Sequence, residues 1–278
     1  MSAAASPAYR PRFTDLLAAE WIKTRSLRST YWVLTLSALV ALAINVNAVH
    51  SDLPYIDNPP PALPGMPEYR YDPLWHGLSS IAADVMALAA ASFGAITVFG
   101  EYATGQIRTT FVATPDRRGV IGAKLVMVTT VTLVLGTAVS LVSFLTTNAM
   151  LASRRLGLSL ADPGCARAVA GYALLAPVCA LIGMAFGAVL RHATASIVGV
   201  VGLLFILPML FGGERYRLLK EIGNHLPLAA EGRLALNPDS TATLGAYPPT
   251  VLGSWLTLAG WALASAAVAA TVVRRRDV

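Results

Sequence analysis

Six separate runs of apolar residues, each about twenty residues or longer, constrain this chain more than any other feature. At 1.5 Å of rise per residue, a helix of about twenty residues covers the ~30 Å hydrocarbon core of a bilayer. The runs occupy 31–49, 77–99, 121–150, 169–190, 193–211 and 251–273, with Pro177 an expected kink in the fourth and Pro208 near the end of the fifth. Only 13% of the 278 residues are charged, about half the share usual in soluble domains. That excludes a disordered chain, a collagen and an ordinary soluble enzyme. The expected fold is an all-α integral membrane protein with six transmembrane helices, a single transmembrane domain over 1–278.

Lys and Arg in the flanks set the expected orientation. With the N-terminus inside, inner segments hold thirteen of the 21 basic residues, among them Lys23, Arg25, Arg28, Arg117, Arg118 and Arg274. Both termini are therefore expected in the cytoplasm, in a multi-pass protein of the plasma or inner membrane. The first run follows a long polar segment and reads as an anchor that stays rather than as a cleaved signal. The net charge of +6 is assigned to the membrane surface and not to nucleic acid, because the basic residues sit beside the apolar runs. Cys165 and Cys179 show neither a zinc spacing nor a disulfide framework; both read as unpaired, Cys165 in a loop and Cys179 in a helix.

Two outer loops are expected, at 51–75 and 212–250. The first carries Pro54, Pro59, Pro60, Pro61, Pro64, Pro67 and Pro73 and reads as extended surface chain. The second contains Tyr216-Arg217-Leu218-Leu219-Lys220-Glu221-Ile222, a short amphipathic patch fit for the outer interface. Asn45, Asn47 and Asn148 read as polar caps at outer span ends.

Two inner segments hold more information. Within 1–30, residues 13–28 have helical periodicity: Phe13, Leu16, Leu17, Trp21 and Leu27 share one broad face, suited to a helix along the inner leaflet. Glu20 projects from the middle of that face. Either it snorkels or pairs with Lys23, or it meets a basic residue of a partner or a neighbouring helix. Between the second and third runs, Ile107 and Phe111 lie four apart on one helical face, and Thr114-Pro115 ends the helix. This segment is either a solvated loop helix or a docking helix for a cytoplasmic partner.

The stretches Glu20-Trp21-Ile22-Lys23-Thr24-Arg25-Ser26, Gly100-Glu101-Tyr102, Gly105-Gln106-Ile107-Arg108-Thr109-Thr110, Ala113-Thr114-Pro115 and Arg117-Arg118 resemble the permease subunits of type 2 ATP-binding-cassette exporters. The six-span layout is similar as well. The resemblance implies an N-terminal interfacial helix, a cytoplasmic coupling helix between spans two and three, and ATPase-coupling roles for Glu20, Glu101, Arg108 and Phe111. It also implies a separate ATPase subunit and a second permease copy or homologue, with the pair enclosing the path amid membrane lipid.

What the sequence lacks narrows the chemistry. It has no Gly-x-x-x-x-Gly-Lys-Ser/Thr loop for ATP phosphates, no His-Glu-x-x-His and no Gly-x-Ser-x-Gly, so no catalytic residue, metal site or cofactor is expected. His50, His76, His192 and His225 fall at span ends or in loops. Asp84 is the one ionisable residue expected well inside a run, about 10 Å from its outer end, and intramembrane acids default to a functional reading. It is assigned to the substrate path or to a structural vestibule. The rival functions are a proton-coupled secondary transporter using Asp84 and a non-transport membrane scaffold. Gly183 and Gly187, like Ala262, Ala266 and Ala270, form small-x-x-x-small patterns, expected to serve packing within the chain more than a dimer seam.

Overall fold

The computed structural model describes residues 11–26, 28–59, 71–211, 213, 216–237 and 247–275, and no strand occurs among them. Helix α1 (Phe13–Ser26) leads almost directly into α2 (Arg28–Asp57). Then come α3 (Pro73–Gly77) and α4 (Ser80–Ala103), followed by α5 (Gln106–Ala113) and α6 (Arg117–Ala152). Helix α7 (Cys165–Leu190) is followed by α8 (Ala193–Val201), a π-turn at Gly202–Ile206 and α9 (Leu207–Phe211). Two short helices, α10 (Arg217–Asn224) and α11 (Pro227–Ala235), precede the last, α12 (Val251–Arg275).

Six helical stretches are long and apolar enough to cross a membrane: Thr30–Asp57, Pro73–Ala103, Arg117–Ala152, Cys165–Leu190, Ala193–Phe211 and Val251–Arg275. Each contains one of the expected runs. The chain is a multi-pass membrane protein by this architecture. Large apolar side chains such as Trp32, Leu36, Val134, Met209 and Leu263 face outward, a sheath suited to lipid and costly in water.

Helix α7 is the hub. It packs against α4, α6, α8, α11 and α12. Small residues set how closely the helices approach. A Cβ added to Gly183 would lie 1.8 Å from the Ala91 carbonyl oxygen of α4, and one on Gly94 of α4 would lie 1.9 Å from that of Ala180. The Gly183 and Gly187 pair thus serves packing inside the chain, and Ala262, Ala266 and Ala270 pack on the same core. Helix α7 runs through Pro177 without interruption. Proline has no amide hydrogen, so the Ala173 carbonyl four residues earlier loses its helical donor. Gly136 of α6 sits against that same carbonyl, where an added Cβ would come within 2.4 Å.

Several elements depart from expectation. Helix α2 continues through Pro54 to Asp57, and Pro73 opens α3, capped by the Asp72 carboxylate accepting from the Leu74 and Trp75 amides. The first outer loop is therefore shorter than 51–75; Pro60, Pro61, Pro64 and Pro67 lie outside the described residues. Pro is tolerated at the first helical position because that amide has no partner anyway. The second span is broken at Leu78-Ser79, where the Ser79 amide donates to Asn45 Oδ1 at 2.9 Å. Asn45 also donates to Ser143 Oγ at 2.9 Å and is fully buried, so it is an interhelical tie and not an interfacial cap. Asn148 accepts from the Leu158 amide, and Asn47 is exposed. Cys165 begins α7 rather than lying in a loop, and both cysteines are free and buried. The segment 212–250 holds α10 as expected, and also α11, which was not.

Gly183→Ala is expected to destabilise the fold by about 1–3 kcal/mol, because backbone must move. Gly260→Ala, with open space around it, is expected to be neutral or slightly stabilising. Thermal unfolding of the purified variants in one detergent checks both.

Candidate functional site

The most concentrated polar chemistry lies where α1, α4 and α6 meet. Helix α1 docks on α6 through Leu16, Glu20 and Thr24, a stripe of period four and the only described residues of α1 that are buried. Phe13 and Trp21 are exposed, so the broad apolar face read from the sequence is not the packed one. Leu27 lies outside the described residues. Leu16 packs with Val120 and Ala123, with Leu17 and Phe111 against them. The Thr24 hydroxyl bonds back to the Glu20 carbonyl at 3.0 Å.

Two glutamates and two lysines close a network there. Lys124 Nζ of α6 donates to Glu20 Oε2 at 2.5 Å and to Glu101 Oε1 at 2.9 Å. Lys23 Nζ donates to Glu20 Oε1 and to Glu101 Oε1, both at 2.8 Å. The Lys124 side chain is 5% exposed and that of Lys23 31%. Each acid meets both bases, so the group is neutral as a whole and every charge is compensated. Burying any one of them alone would cost several kcal/mol. Burial works against the Lys23 ammonium, and the Glu101 and Glu20 carboxylates outweigh it, so Lys23 binds its proton more tightly than an ordinary lysine.

Two clefts flank the network. One, of about 190 Å³, lies between α1, α4 and α6 and reaches Ile96, Thr97 and Met127. The other, of similar volume, separates α1 from α5 and is lined by Ala19, Glu20, Lys23, Thr110 and Ala113. Helix α5 is held off the end of α4 by a turn at Thr104-Gly105, where Gly105 takes φ of 71°, a region that favours glycine.

The expected site residues divide accordingly. Glu20 and Glu101, 81 residues apart in sequence, are brought together by two lysines. Glu101 belongs to the last turn of α4 and not to the short helix α5. Arg108 is exposed on α5, away from the network. Phe111 is half-buried, packed toward Leu16, with the Arg117 guanidinium 4.9 Å over its ring. The outward apolar residue of α5 is instead Val112, 85% exposed. Asp84 is seventeen residues from Glu101 along α4, about 25 Å away, and is half-buried. Lys124 was counted among the flanking charges and not as a site residue. Its position inside an apolar run was the available signal, because a lysine there needs an acid. No known family model matches the chain, and no curated protein sequence matches it at a significant level.

Lys124→Met is expected to cost about 3–5 kcal/mol, because two buried carboxylates are then left with Lys23 as their one shared base and a buried negative charge is uncompensated. The same change in a Glu20→Gln background should cost less, because the charge it compensates is gone. A double-mutant cycle by thermal unfolding reads the difference. Lys23 contributes its stability fully below about pH 10.5, its ordinary value, and loses it as pH climbs through the raised one. A melting point that holds to pH 10.5 and falls beyond it in the wild type, but not in Lys23→Met, is the expected result.

Proposed function

We propose that this chain is the membrane-spanning permease subunit of an ATP-driven exporter of the type 2 ATP-binding-cassette class, with the ATPase on a separate subunit. The observation that carries the reading is the Glu20–Lys23–Glu101–Lys124 network. It ties α1 to the ends of α4 and α6, beside α5, at the end where the basic flanking residues gather. A rigid charge clamp at that place is what a mechanically driven permease requires. A push on α1 or α5 is passed to two spans at once. The six-span layout and the motif resemblance at 20–26 and 100–118 support the same reading.

In this account both termini and α5 face the cytoplasm of a cell membrane. Helix α1 lies at the inner interface with Phe13 and Trp21 toward lipid, and α5 is the coupling helix. Its exposed Arg108 and Val112 are the contact points for the ATPase, while Glu20, Glu101 and Phe111 act behind it as positioning residues. A second permease copy or homologue completes the path. The chain itself makes and breaks no covalent bond.

The test is affinity purification of the tagged full chain in mild detergent, with identification of co-purifying proteins and an ATPase assay. A co-purifying ATP-binding-cassette subunit is expected, and Arg108→Glu with Val112→Asp should remove it and cut ATPase activity at least tenfold while leaving the permease folded. Recovery of the chain alone, without ATPase activity, overturns the proposal.

A further inference from the structure

At the end of the bundle opposite α1, helix α11 carries a glutamate that the sequence reading did not single out. Glu231 is 2% exposed, and its Oε1 is buried without a hydrogen bond. A carboxylate in that setting has lost its water and gained nothing in return. The natural compensation is a basic side chain, and two lie close in sequence or space. Both are engaged elsewhere. Arg233 donates to the Pro249 carbonyl at 2.8 Å. Arg167 of α7 donates to the carbonyls of Leu234 and Leu236. The two arginines fasten α11 in place through backbone oxygens and leave its acid unpaired.

Among the described residues, the ionisable groups that act electrostatically with Glu231 are acidic or neutral. Helix α4 brings Asp84, which repels a charge on Glu231. Helix α7 brings Tyr172 and Cys179, both within electrostatic reach of Glu231 and of Asp84. The Tyr172 hydroxyl is buried and also without a hydrogen bond. The described part of α12 carries no ionisable side chain before Arg274, at the other end of that helix. On α10, Arg217 and His225 are exposed, Lys220 and Glu221 half-buried, and Arg217 is paired with Glu221.

We propose that Glu231, with Asp84 as its electrostatic partner, is a proton-binding site built into the far end of the bundle. A carboxyl so enclosed accepts a proton without any movement of its surroundings; a larger cation needs α11 to shift. Two acids that share one low-dielectric region do not both ionise readily. Asp84, the more exposed of the two, is the member that exchanges with water, and Glu231 is the one that retains the proton. Burial first, and then the Asp84 charge, push Glu231 up to about 8, so the site is filled at neutral pH. Its folded affinity exceeds the unfolded one, so the native state holds the extra proton between about pH 4.5 and about pH 8, and stability declines as pH rises through that window. The site stands whether or not an ATPase drives the chain.

The experiment is an infrared pH titration of the purified full chain, following the carbonyl stretch of protonated carboxylic acids. Thermal unfolding is measured at the same pH values. The wild type is expected to lose one such band with a midpoint near pH 8. Glu231→Gln should lack it and should melt with a flatter pH dependence between 5 and 8. Asp84→Asn should keep the band and bind the proton about tenfold more weakly, because removal of a repelling carboxylate favours the ionised form, so the midpoint falls by about one unit. A band that disappears in Asp84→Asn and survives in Glu231→Gln assigns the proton to Asp84 and overturns the proposal. So does a wild type with no band titrating above pH 6. Should Glu231→Gln fail to fold, the wild-type and Asp84→Asn titrations decide the matter alone.

Discussion

Two lysines and two glutamates share one buried site where three helices meet, and the arrangement of that end of the molecule depends on it. Without Glu20 and Lys23, α1 would lose its charged tie to α6 and keep the Leu16 cluster and the contact of Thr24 with Met127. Without Lys124, two buried carboxylates would have Lys23 alone to compensate them. The network is costly to break and of modest value as a net contribution, because taking four charges out of water offsets much of their attraction. Its worth lies in position. It fixes α1 against α4 and α6 at one angle while leaving clefts on both sides.

The rest of the bundle is held by shape. Helix α7 lies at its centre, and glycines on α4, α6 and α7 let backbones approach to distances that no side chain permits. Interhelical polar ties are few and local, the Asn45 bridge to Ser143 and to the Ser79 break being the clearest. Helix α4 therefore runs from the charge network at Glu101 to the neighbourhood of Glu231 at Asp84, about 25 Å away. A single continuous helix joins the two polar centres.

The spans were legible because their signal is cumulative. A run of twenty apolar residues survives errors at any single position, and each expected run falls inside an observed helical stretch, the second and fifth of which are not single helices. Ends were less legible: Pro54 is carried inside α2 and Pro73 starts α3, since a proline is excluded only where its missing amide or its ring conflicts with a neighbour. Glu20 stood out as an acid on an apolar face, and its partner Lys124 was discounted because lysine at a span end is ordinarily solvated. The periodicity of α1 marks the exposed Phe13 and Trp21, whereas the residues packed on α6 are Leu16, Glu20 and Thr24, selected by the charge pairing. Glu231 was illegible, as nothing in Pro227-Leu228-Ala229-Ala230-Glu231 says that the segment folds back into the bundle.

On the proposed mechanism, the charge network passes movement from the α1 and α5 end to the far end of α4. A single cysteine at Ile81, which is exposed near Asp84, reports on this in membranes containing the chain and the ATPase subunit proposed for it, since both native cysteines are buried. The account predicts that ATP changes the labelling rate at Ile81→Cys severalfold, and that adding Lys124→Met abolishes the change while the basal rate stays the same. A labelling rate indifferent to ATP, or an ATP response that persists with Lys124→Met, would contradict it.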